Sequence, residues 1–168
     1  MASTYTLISS QVLGSAAASV TFSSIPSTYK DLVLRISVRT NNAGDGDNTL
    51  LKINGLTSGY SYTSLFGDAS TATSANASST TSWSIRVDGN TSTSNTFSTN
   101  EIYIPNYSGS TYKPASGISS MENNVANPVY TFASAYLLSN TAAISSFVLT
   151  PQVGTNFLTN SSFYLYGI

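Results

Sequence analysis

In the stretch "DLVLRISVRT", residues 31 to 40, Leu32, Leu34, Ile36 and Val38 fall on one side of an extended chain and Arg35 and Arg39 on the other. This period-two pattern predicts a β-strand with one buried face. Shorter runs of the same kind recur along the chain. Tyr5, Leu7, Val12 and Leu13 mark a first segment, and Ala18, Val20 and Phe22 alternate in a second. Others are Thr49 to Asn54, Tyr60 to Phe66, Trp83 to Asp88, Phe97 to Ile104, Ser116 to Glu122, Val129 to Leu138, Ser145 to Thr150 and Ser162 to Gly167. The links between them are rich in Gly, Asn, Asp, Ser and Pro, the residues that turns require. "LLSNTAAISSF" comes nearest to an amphipathic helix, and its Ser and Thr residues weaken it. The expected fold is all-β, an antiparallel sandwich formed as one domain over residues 1–168.

Two regions interrupt the rhythm. Residues 67–82, "GDASTATSANASSTTS", carry no large apolar side chain and can bury almost nothing, so a long exposed loop is expected there. Residues 89–96, "GNTSTSNT", form a second polar connection. Between them stands the single tryptophan, Trp83, best explained as a core anchor at the start of a strand.

Composition changes the picture in one respect. Of 168 residues, 8% are charged and 40% hydrophobic, with a formal net charge of −1. Solubility therefore rests on hydroxyls and amides, with Ser and Thr making up roughly a third of the chain. A chain so poor in Lys and Arg has no means of neutralising a phosphate backbone, so no nucleic-acid partner is expected. The N-terminal segment lacks the basic and continuous apolar regions of a secretory signal, and no apolar run is long enough to span a bilayer as a helix. Synthesis in a cytoplasm, with no membrane partner, is the expectation.

The candidate chemistry is sparse. Cysteine and histidine are both absent, which removes thiolate nucleophiles, Cys-ligated zinc and the usual Ser–His and Cys–His pairs. "GDGDN", residues 44–48, resembles the start of a calcium loop, but the acid that an EF-hand needs further on is missing. A tight hairpin or loop explains it better. Asn54-Gly55 reads as a turn. Glu101 and Glu122 would serve a glycosidase only if their carboxyls stood about 5 to 10 Å apart in a cleft, and no motif surrounds them. No catalytic residue, metal or cofactor is therefore assigned. Eleven tyrosines supply amphipathic rings suited to contact surfaces. Tyr60, Tyr62, Tyr107 and Tyr112, which lie beside loops, are the interface candidates together with Arg35 and Arg39.

Four stretches carry a resemblance: "SVTFSSIPSTYKDLVLRISVRTN" (19–41), "NEIYIPNYSGSTYKP" (100–114), "LLSNTAAISSFVL" (137–149) and "SSFYLYGI" (161–168). Together they resemble a group of small virion proteins of tailed phages, especially marine phages that infect cyanobacteria. In that group an "F.sIP.tY.dL.l" opening, an "eIyIPNY" middle and a "stFyLYGI" ending recur. The likeness breaks down mainly in residues 67–96. Leu56 stands where the group carries an acid, so no shared metal site is expected there.

The resemblance implies a jelly-roll-like sandwich displayed on the virion, acting through protein contacts as a head decoration, cement or fibre-like protein, or as part of a tail appendage. The major capsid protein is then the expected partner, with tail proteins as the alternative. Assembly into a homo-oligomer, such as a trimer, would cover strand edges that few charges protect. A different class, a carbohydrate-binding module for host attachment, would use Tyr60, Tyr62, Trp83 and Tyr107 as stacking residues on a host surface glycan.

Overall fold

The computed structural model describes residues 4–68, 70–121 and 130–168. They form the strands β1 (Thr6–Val12), β2 (Val20–Phe22), β3 (Leu32–Val38), β4 (Gly46–Ile53), β5 (Tyr60–Gly67) and β6 (Ala72–Thr80). The second half adds β7 (Trp83–Asp88), β8 (Ser98–Ile104), β9 (Lys113–Met121), β10 (Tyr130–Leu138), β11 (Phe147–Pro151) and β12 (Ser162–Gly167). No helix occurs among the described residues. The strands build a wide sheet, ordered β1-β12-β3-β8-β9-β10-β5-β6, and a narrow one, ordered β2-β11-β4-β7, in which all named pairings are antiparallel. The protein is an all-β sandwich, as the sequence pattern predicts.

The core lies between the sheets. Leu32, Leu34, Ile36 and Val38 of β3 are all 3% exposed or less and join one cluster with Leu51 and Ile53 of β4, Ile85 and Val87 of β7 and Phe147 and Leu149 of β11. Full burial of each such side chain contributes about 1.5–3 kcal/mol, so apolar packing is the main source of stability. Trp83 is fully buried, as an anchor should be; its indole N–H donates to the Leu137 carbonyl at 3.1 Å, and its ring packs against Tyr60 and Tyr136.

Two expectations about local structure need correction. Residues 72–80, placed by composition in a long loop, form β6, which pairs with β5 at the rim of the wide sheet. The region is exposed, as expected, but it is strand: Asp68 accepts hydrogen bonds from the backbone N–H groups of Ser70 and Thr71 and turns the chain back on β5. Likewise most of "GDGDN" belongs to β4, which starts at Gly46. The Asn54-Gly55 turn is present, with φ of 53° and 68°, values that Asn and Gly tolerate better than other residues.

Candidate functional site: the outer face of the wide sheet

One face of the wide sheet packs on the narrow sheet, and the other is open. Register alone assembles its central row. Ser10 of β1 lies opposite Tyr164, then follow Arg35, Glu101, Ile118, Ala133, Leu65 and Ser74, one residue from each strand across all eight. The flanking rows are mostly hydroxyls and small residues, such as Ser37, Thr99, Ser120 and Thr131 on one side and Ser116, Ala135 and Thr63 on the other. Leu7, Val12, Leu65 and Ile118 on this face are 51–63% exposed. Arg35 and Glu101 are its two charges among the described residues.

Those two charges are joined. The Arg35 Nε donates to Glu101 Oε2 at 2.6 Å, with both side chains close to half exposed. The guanidinium also lies over the Tyr5 ring, 5.0 Å from its centroid, and near the Tyr166 ring at 5.8 Å. The Glu101 hydrogen bond, ahead of the opposing effect of burial, raises the Arg35 pKa above its ordinary value. Tyr5 meets Tyr166 edge-on, and Tyr166 stacks beside Tyr164. Tyr103, on the same face, donates to Asp31 Oδ2 at 2.8 Å, a bond that raises its pKa. The outcome is a cation and several rings held in place at the surface without being removed from water. The Glu101 carboxylate is thereby held against the Arg35 guanidinium.

Of the sequence-predicted interface residues, Arg35 belongs to this face and the others do not. Arg39 lies beyond the end of β3 and is 5% exposed, its guanidinium donating to the carbonyls of Asn90, Ser92, Thr93 and Thr96 over 2.5–3.3 Å. It clamps the 90–96 connection and is unavailable to a partner. Tyr60 and Tyr107 are fully buried. The Tyr60 hydroxyl accepts from the Ile53 N–H at 2.8 Å and that of Tyr107 donates to the Pro26 carbonyl, so both rings serve the core. Tyr62 is half-buried on the inner face against Tyr136. Tyr112 is 54% exposed in the loop before β9, away from the central row. A sugar platform built of Tyr60, Trp83 and Tyr107 is thus ruled out by burial.

The other candidates are also placed. Asp47 is buried, and its carboxylate accepts from the Thr40 hydroxyl and from the N–H groups of Asn48, Val153 and Gly154, so it ties three segments together. No cluster of acids fit for a metal ion occurs among the described residues. Glu122 lies outside the described residues.

Tyr5, Tyr103, Tyr164, Tyr166, Ile118 and Leu65 were missed as site residues. A signal existed for two of them. In "SFYLYG" Phe163 and Leu165 are the obvious core positions, and parity then turns Tyr164 and Tyr166 outward. No known protein family, no curated protein and no solved structure matches the chain.

Proposed function

We propose that this protein is a non-enzymatic structural component of a tailed-phage virion, assembled in the host cytoplasm and working through protein–protein contacts as a capsid decoration, cement or fibre-like protein. The observation that carries this proposal is the outer face of the wide sheet. It is eight strands across, nearly uncharged, and carries exposed aliphatic side chains around a fixed cluster of Arg and Tyr, the two residue types enriched at protein interfaces. The sequence resemblance supports virion proteins as partners, the major capsid protein first and tail proteins as the alternative.

Strand order supports the jelly-roll part. With β1, β12 and the β8–β9 pair set aside, the remaining eight strands are β2 to β7, β10 and β11. Numbered in chain order, they lie as 1-8-3-6 in one sheet and 2-7-4-5 in the other, the arrangement of two interlocked Greek keys. The β8–β9 pair is then an insertion that widens one sheet.

Cross-linking mass spectrometry on purified particles tests the proposal. Lys30 is exposed and Lys52 half-exposed, so both can react. Lys113 is fully buried, its ammonium held by the Gly109, Thr111 and Thr141 carbonyls, and it serves as an unreactive internal control. Links from Lys30 or Lys52 to the major capsid protein support the decoration role; absence of the protein from particles overturns it.

One observation favours a second proposal, a tail appendage that meets host glycans. Tyr5, Tyr164 and Tyr166 are exposed or half-exposed beside the Arg35–Glu101 pair, a grouping that could stack on a sugar ring and bond its hydroxyls. Links only to tail proteins, with host-polysaccharide binding lost in Tyr164→Ala, would favour it.

A further inference from the structure

The free edges of the two sheets are not alike. On the narrow sheet, β2 has 3 residues, too short to template a neighbour. On β7 the Tyr136 hydroxyl donates to the Ser84 carbonyl, and the strand carries Arg86 and Asp88. The edge strand β1 of the wide sheet is interrupted by a shift in register between Leu7 and Ser9. Shortness, charge, capping and bulges are the usual means of blunting an edge.

β6 carries one such shift, near its end between Ala77 and Thr80, and none of the other means. Its register with β5 is unbroken from Ala72 to Ala77, and the strand contains neither a charge nor a proline. It also buries nothing: seven of its nine residues are exposed and the other two half-buried. Within the chain it is held by one hydrogen-bond ladder, with no apolar face to assist it.

The direction of its free backbone groups follows from the hairpin. Asp68 N–H donates to the Thr71 carbonyl, which makes Asp68 and Thr71 a hydrogen-bonded pair. Pairs alternate in an antiparallel ladder, so Phe66–Thr73, Ser64–Ala75 and Tyr62–Ala77 are bonded and the residues between them are not. Ala72, Ser74 and Asn76 therefore turn their N–H and C=O groups away from β5.

We infer that the β6 edge pairs with the β6 edge of a second copy of this chain, antiparallel about a two-fold axis through Ser74, to form one continuous sheet. Ala72 then lies opposite the second copy's Asn76, and each Ser74 faces the other, giving about six new backbone hydrogen bonds. The chemistry favours self-pairing over a foreign strand. From Ala72 to Ala77 the strand offers only small uncharged side chains, so two copies of it can approach edge to edge without steric or electrostatic conflict. No like charges meet, because the nearest charge, Asp68, falls opposite Thr80. The contact is isologous and closes at two copies, and it does not depend on which particle the protein joins.

The absence of cysteine makes the test clean. In Ser74→Cys the two introduced thiols sit on a bonded pair whose Cα atoms are about 5.5 Å apart, within disulfide range. Mild oxidation of the purified variant should give a covalent dimer, whereas Ser10→Cys on β1 should stay monomeric. Wild type should sediment as a dimer, and Ser74→Pro, which removes only an outward N–H, should sediment as a monomer with an unchanged circular dichroism spectrum. Should the proline variant misfold, Ser74→Lys places like charges at the axis and should likewise give monomer. Monomeric wild type, equal cross-linking at positions 74 and 10, or an intact dimer in folded Ser74→Pro or Ser74→Lys would overturn the inference.

Discussion

Arg35 and Arg39 lie four residues apart with the same parity, yet their surroundings are opposite. Arg35 stands mid-strand on an open sheet, gripped by Glu101 and two tyrosine rings and still about half exposed. Arg39 follows the end of β3, where the 90–96 connection folds back and surrounds it with carbonyls. Arg39 spends its donors on backbone carbonyls inside the molecule, whereas Arg35 keeps its ion pair at the water-facing surface. Parity tells which way a side chain leaves the strand; what lies beyond the strand decides whether it meets water.

The largest test of this contrast is Arg39→Ala. It strips four carbonyls of a charged donor at once and should lower unfolding free energy by about 3–5 kcal/mol in urea titrations. Arg39→Lys should recover only part of that, since an ammonium lacks the planar fork that reaches several acceptors. A loss under about 1 kcal/mol in the alanine variant would mean that the clamp is dispensable. Next comes Tyr60→Phe, which leaves the Ile53 N–H without its buried acceptor and should cost about 1–2 kcal/mol; Tyr166→Phe, on the open face, should leave the midpoint unchanged.

Arg35→Ala reverses the pattern. The ion pair is solvent-screened, so stability should change by less than about 1 kcal/mol, while incorporation into particles should fall sharply. If particle binding survives in this variant, the open face is not the contact surface. The smallest effect is acid-induced and local. Bonds from the Ser70 and Thr71 N–H groups hold the Asp68 pKa down to about 2 from an ordinary 3.8. A depressed carboxylate stabilises the fold above its unfolded pKa and loses that contribution as pH falls through the folded value. Amide signals of Ser70 and Thr71 should therefore shift with a midpoint at about pH 2 and stay fixed in Asp68→Asn.

How much of this was legible in the sequence depended on burial. β3 announces itself because four apolar residues alternate with polar ones, and the structure buries all four. β6 was invisible because "ATSANASST" has no face to bury; it becomes a strand through the Asp68 turn and a neighbour's backbone, neither of which leaves a hydrophobic period. The tyrosines divided for a similar reason. Tyr60 and Tyr107 sit near polar loops in sequence but reach inward to backbone partners, contacts made across the fold and absent from any local pattern. Tyr164 and Tyr166 could be assigned from Phe163 and Leu165 alone. Arg39 could not, since the acceptors that enclose it come from residues 51 or more positions away.

The unequal width of the two sheets has a geometric consequence. At a spacing of about 4.8 Å between strands, eight strands reach about 34 Å across and four only about 14 Å. The molecule is therefore shaped like a roofing tile, a broad plate with a narrower rib beneath. Toward the β6 rim Phe66 and Phe132 stack 5.2 Å apart, half-buried, and line a cavity with Asn48, Ser84 and Arg86 of the narrow sheet. A molecule of this outline offers its neighbours two sides of unequal area, a broad open plate and a narrow ribbed back.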